Sequence, residues 1–135
     1  MAIVTGFLPT PAGRAALQHA EREAKRLDAK LVIVNSYEDD RDWNARDGRE
    51  VEEELEEIRR RLNAAGVQNE LRTLVRGNTP AEDLLEVADD EDARYIVIGL
   101  RRRTPVGKLI LGSNAQQILL DSNRPVISVK PDESN

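Results

Sequence analysis

Residues 94–130 read RYIVIGLRRRTPVGKLILGSNAQQILLDSNRPVISVK. The segment opens on a nearly continuous apolar run, RYIVIGL (94–100), and closes on another, PVISVK (125–130), both rich in Val and Ile. Such runs belong to strands covered on both faces. Between them SNAQ (113–116) begins a helix that continues through Ile118, Leu119 and Leu120, and Ser113 with Gln116 has the form of a capping box. A strand, a long connection, a helix and a second strand make one parallel crossover unit.

The same alternation runs back to the N-terminus. Further strand candidates are AIVTGF (2–7), KLVIVN (30–35) and ELRTLV (70–75). Between the first two, Leu17, Ala20, Ala24 and Leu27 form an apolar helical stripe, with Thr10 before Pro11 as its start signal. The next helix places Val51, Leu55, Ile58 and Leu62 on one face, and Glu56–Arg60 and Glu57–Arg61 on the other in the favourable i, i+4 order. A third begins TPAE (79–82), a Thr cap, a first-turn Pro and a Glu that closes a capping box. Strand and helix repeated in this way, with a last strand at the end, predict one α/β domain over 1–135, a doubly wound five-stranded parallel sheet with helices on both faces. Its order is 3-2-1-4-5 or 2-1-3-4-5. EDDRDWNARDGR (38–49) reads as a mobile loop and DESN (132–135) as a frayed tail.

Composition removes several function classes. The formal charge is −5, which opposes a general nucleic-acid binder, and one Trp, two Tyr and one Phe are too few for base-stacking platforms. With no cysteine there is no disulfide, thiolate metal site or thiol chemistry. His19, beside Ala20 on the first helix, reads as a surface residue, so no metal site and no His-paired nucleophile is expected. Nothing resembles a signal peptide, and no apolar run approaches the roughly 20 residues that cross a bilayer. The expectation is a cytoplasmic protein that binds neither membrane nor nucleic acid.

Ligands of open parallel sheets bind outside the carboxyl ends of the strands, where the strand order reverses. With order 3-2-1-4-5 that crevice lies between strands one and four, facing Leu8–Thr10 and Leu100–Gly112. The second connection exceeds the usual span of about 2–6 residues. It is not a Walker A loop, because Leu109 follows Gly107-Lys108 and Arg102 stands where the first glycine belongs. Nor does Gly6 with Gly13 make a dinucleotide fingerprint. What remains is Gly112-Ser113 at a helix start, where unpaired N–H groups and the helix dipole favour an anion. Gly99 ends its strand without a side chain, leaving room for a ligand beside the backbone. Arg101, Arg102, Arg103 and Lys108 add positive charge, and guanidinium groups match phosphate oxygens. Each feature also has a structural alternative: a cap at Ser113, positive φ at Gly107 and Gly112, and a solvated basic face.

RYIVIG (94–99), PVGKLILGSNAQQILLDSNRPVISVK (105–130), GNTPAEDLLEVADDEDA (77–93) and AIVTGFLPTPAGRAAL (2–17) together resemble the universal stress protein family over essentially the whole chain. The resemblance implies order 3-2-1-4-5, the adenine nucleotide alpha hydrolase-like arrangement, and a homodimer joined through the last strand at Val126, Ile127, Ser128 and Val129. The signature of the nucleotide-binding branch, two glycines three apart and a Gly-Ser after nine more residues, falls on Gly99, position 102, Gly112 and Ser113. Arg102 replaces its second glycine. An aspartate that contacts adenine in ATP-binding members is replaced by Leu8. A histidine and an apolar residue at the end of the second strand become Asn35 and Ser36. The phosphate half of the site is thus kept, in Gly99, Arg101, Arg102, Gly112, Ser113 and Asn114, while the base half, at Leu8 and Ser36, is altered.

The expected function is a stress-response module binding a nucleotide or another phosphate-bearing ligand, ATP with Mg²⁺ being one case. The alternative is a dimer that binds no ATP and acts through protein partners. An enzyme is not expected: Asp39, Asp40 and Asp42 offer carboxylates for Mg²⁺ in a slow nucleotide hydrolase, but no nucleophile–base pair can be assembled.

Overall fold

The computed structural model describes residues 1–38, 48–102 and 109–131, and of 101, 102, 109 and 110 the backbone alone. Strands β1 (Ala2–Gly6), β2 (Lys30–Tyr37), β3 (Asn69–Val75), β4 (Tyr95–Gly99) and β7 (Val126–Val129) form one sheet in the order β3-β2-β1-β4-β7. Every neighbouring pair is parallel. In sequence order this is the expected 3-2-1-4-5, and the alternative order 2-1-3-4-5 is excluded. The connection after β4 also holds a short antiparallel pair, β5 (Arg101–Arg102) and β6 (Leu109–Ile110), which pins the two ends of that connection together.

Side chains alternate across a strand, so each one feeds two cores. Ile3, Leu31, Ile33 and Val97 face α1 (Pro11–Leu27) and α2 (Gly48–Ala64), meeting Ala16, Leu17, Ala20 and Leu55. Val4, Val32, Val34, Ile96 and Ile98 face the other way, against Ala81, Leu84 and Val87 of α3 (Pro80–Asp90) and Ile118 of α4 (Ser113–Asp121).

The helix starts show how local chemistry aims the elements. The Thr10 hydroxyl accepts from the Gly13 N–H at 3.0 Å, with Pro11 in the first turn of α1. At α3 the box is complete: the Thr79 hydroxyl accepts from the Glu82 N–H at 3.2 Å, and the Glu82 carboxylate accepts from the Thr79 N–H at 2.8 Å. The box expected at Ser113 and Gln116 does not form. Gly112 is the cap of α4, in extended backbone at φ −69° and ψ 166°, and Ser113 is the first helical residue. A glycine has no side chain to cap with, and the Gln116 N–H is taken by the Gly112 carbonyl at 3.0 Å. Nor does Gly112 supply positive φ; Gly107 lies outside the described residues. On α4 only Ile118 is buried, and Leu120 is 82% exposed.

The sheet has two unlike edges. On β3, Glu70 and Arg72 join an ionic cluster with Lys30 and Glu91: Lys30 Nζ lies 2.8 Å from Glu91, and Arg72 also pairs with Glu91. On β7, Val126, Ile127 and Val129 are half-buried and Ser128 is exposed.

Candidate functional site

At the carboxyl ends of β1 and β4 the structure encloses a cavity of about 330 Å³. Parallel pairing, with Thr5 opposite Val97, brings the strand ends Gly6 and Gly99 into its lining within one residue of the same level. The Thr5 hydroxyl, wholly buried, donates to the Val97 carbonyl at 2.9 Å and ties the two strands beneath it. Three helix starts form the walls: Ala12 and Gly13 of α1, Pro80 and Ala81 of α3, and Ser113 and Asn114 of α4. Val34, Leu84, Ile98 and Ile118 give it an apolar lining, and among the described residues none of the lining carries a charged side chain.

Gly99, Gly112, Ser113, Asn114, Leu8 and Ser36 all line this cavity, so six sequence-predicted positions from three separate parts of the chain come together. Arg101 and Arg102 follow Gly99 as the backbone of β5, and their side chains lie outside the described atoms. Arg103, Lys108, Asp39, Asp40 and Asp42 also lie outside the described residues. Among the described residues no three His, Asp or Glu side chains converge on one point, and no helix is long and apolar enough to cross a membrane.

At two glycines the packing itself leaves no room for a side chain. A Cβ on Gly99 would lie 2.2 Å from the Ala12 carbonyl oxygen, and one on Gly13 would lie 2.2 Å from the Leu8 carbonyl oxygen. The first turn of α1, pressing on the end of β4, by itself demands a glycine at position 99. The consequence is a tight floor that holds the start of α1 beside the cavity.

Around α4 the donors are bare. Its cap has no side-chain hydrogen bond, and no described residue accepts from the N–H of Ser113, Asn114 or Ala115. These groups carry the positive end of the helix dipole. The Asn114 side-chain oxygen turns into α3 and accepts from the Ala81 N–H at 3.2 Å. With that oxygen engaged, the rest of the Asn114 amide has only donors to offer. Unpaired N–H groups at a helix start favour negative charge beside them.

The opposite corner is governed by a carboxylate that sequence reading missed. Asp83, on α3, is wholly buried. It accepts from the Ser36 hydroxyl at 2.6 Å, from Arg76 Nη2 at 2.7 Å and from Asn78 Nδ2 at 3.1 Å. Burial pushes its pKa up, but the hydrogen bonds from Ser36, Arg76 and Asn78 and the Arg76 charge outweigh it and hold the carboxyl below its ordinary range. The sequence gives a faint signal, since RGN (76–78) precedes TPAED (79–83) closely enough to fold back on it. An acidic residue in a first helical turn otherwise reads as a solvent-facing complement to the dipole.

A family model described as the Universal stress protein family matches residues 1–130. A curated universal stress protein of Mycolicibacterium smegmatis is 43% identical over 129 residues, covering 96% of this chain and 97% of the relative. A solved universal stress protein of Archaeoglobus fulgidus superposes with a TM-score of 0.81 at 34% identity, covering 96% of this chain and 98% of that one. An Archaeoglobus fulgidus universal stress protein solved in complex with dAMP gives 0.76 at 30% identity with the same coverage. With the sheet order, the crevice and these matches in agreement, the chain belongs to the universal stress protein family.

Proposed function

We propose that this chain is a nucleotide-binding stress-response module that holds a phosphate against the first turn of α4 and a purine among Val34, Leu84 and Ile98. The observation that carries this reading is the glycine cap: Gly112 leaves a helix start uncapped, inside a cavity at the reversal point of the sheet. A Ser, Thr, Asp or Asn cap would close one of those N–H groups with its side chain, and Gly112 leaves them open. The volume of about 330 Å³ suits a mononucleotide-sized ligand, and the relative solved with dAMP supports the ligand class.

The deciding variant is Gly112→Asp, which puts a carboxylate where the phosphate is proposed to sit and also caps the helix. Calorimetry with AMP, dAMP and ATP should give binding by the wild type and a loss of about tenfold or more in the variant, while thermal stability holds or rises by a few tenths of a kcal/mol. No binding of any of the three by the wild type refutes the reading.

We further propose that two copies pair through β7. The carbonyls of Pro125 and Val129 accept from the Ile96 and Leu100 N–H groups at 3.0 and 2.8 Å. By alternation, the N–H groups of Val126 and Ser128 point away from β4, toward a partner strand.

A further inference from the structure

A strand of four residues makes a short seam. Val126–Val129 runs about 13 Å. The edge of a sheet about 10 Å deep and of that length covers well under half of the roughly 800 Å² that each partner of a stable complex buries. Pairing at β7 therefore needs a second surface beside it, and the adjoining element is α4. This helix, SNAQQILLD, has Asp121 as its sole charged residue, in a chain that is 33% charged. Leu119 is 40% exposed and Leu120 82%, while Ile118 alone is buried. Exposed apolar side chains on a helix stripped of charge have the composition of an interface core.

Helix geometry sets where these leucines face. Asn114 touches α3 through the Ala81 N–H, and Ile118 lies in the core against which Ala115 and Val126 of β7 also pack. With 3.6 residues per turn, Leu119 lies beyond Ala115 on the side of α4 turned away from Asn114. Because α3 packs on β1 and β2, that side overhangs the free edge of β7. Two identical edge strands in a closed dimer pair antiparallel about a dyad normal to the sheet, which sets both copies of α4 on one face. We propose that α4 is the second half of the pairing surface, with Leu119 packed against the partner's Leu119 across the dyad and Gln116 and Leu120 flanking it. The inference rests on the β7 pairing above and adds to it the helix that completes the contact.

The chain has no cysteine, so an introduced one reports its own surroundings. Leu119→Cys treated with a short bismaleimide should give a covalent dimer. Gln18→Cys, exposed on α1 at the opposite face of the sheet, should not. In sedimentation equilibrium Leu120→Lys should weaken dimerisation about tenfold or more. Its side chain already stands in solvent, so the circular dichroism spectrum should not change. A dimeric wild type overturns the inference, and leaves pairing at β7 standing, if Leu119→Cys gives no cross-link, if both cysteine variants link alike, or if Leu120→Lys dimerises as tightly. A wild type that is monomeric removes the pairing and the inference with it.

Discussion

A side chain at position 99 would press a methyl group into the Ala12 carbonyl at 2.2 Å, which backbone cannot yield cheaply. Gly99→Ala should therefore destabilise the protein by about 1–3 kcal/mol through displacement of α1, as overpacking does elsewhere. Chemical denaturation with and without AMP checks this, and a variant of unchanged stability would return Gly99 to a purely ligand-related role. The example shows what a sequence withholds at this scale. It displays a missing side chain but not the atom that fills the space. Asp83 is the converse case. Its identity was in plain view, yet its burial depends on Arg76 and Asn78 folding over it from the turn after β3. Gly112, Ser113 and Ser36 were legible because a strand end or a helix start places them whatever the surrounding packing does.

Whole elements were easier to read, and the reason is periodicity. The Thr10 and Thr79 caps and the stripe of α2 stand where the pattern puts them, since each depends on residues within two turns. Pairing between elements was not legible. Arg61 has Glu57 one turn back, but it reaches across to Glu21 of α1, bonding both carboxylate oxygens at 2.7 Å. Glu21 is buried, so its need for a cation outweighs the few tenths of a kcal/mol of an exposed helical pair. Burial raises the Glu21 pKa, but Arg61 and Lys25 more than reverse this, and the group lies below its ordinary range. A carboxyl depressed on folding stabilises above its unfolded pKa, and that contribution disappears as pH falls through the folded value. Arg61→Ala should thus cost about 1–2 kcal/mol near pH 7, with the gap to wild type closing on acidification below about pH 4. Urea titrations at stepped pH measure it. A gap independent of pH would assign the loss to packing of the arginine stem.

For the molecule as a whole, alternation of strands and helices fixed the class, but two strand orders satisfied it equally. Choosing between them takes knowledge of which face each crossover covers, a property of the assembled sheet. The two observed cores, with α1 and α2 on one face and α3 and α4 on the other, settle it. At this scale lies the prediction for assembly. Ser128→Pro removes an N–H that points away from β4, which an edge strand tolerates. It should leave the fold and AMP binding intact while shifting the species in sedimentation from dimer to monomer. A wild type that sediments as a monomer refutes pairing at β7. The contrast between the sheet's edges has one more outcome. Among the described residues the β3 edge carries the paired charges of Glu70 and Arg72, which disfavour the docking of a further strand there. Were two copies to pair at β7 as proposed, growth would end after a single addition, and the unlike edges of the sheet would act as a safeguard against filaments.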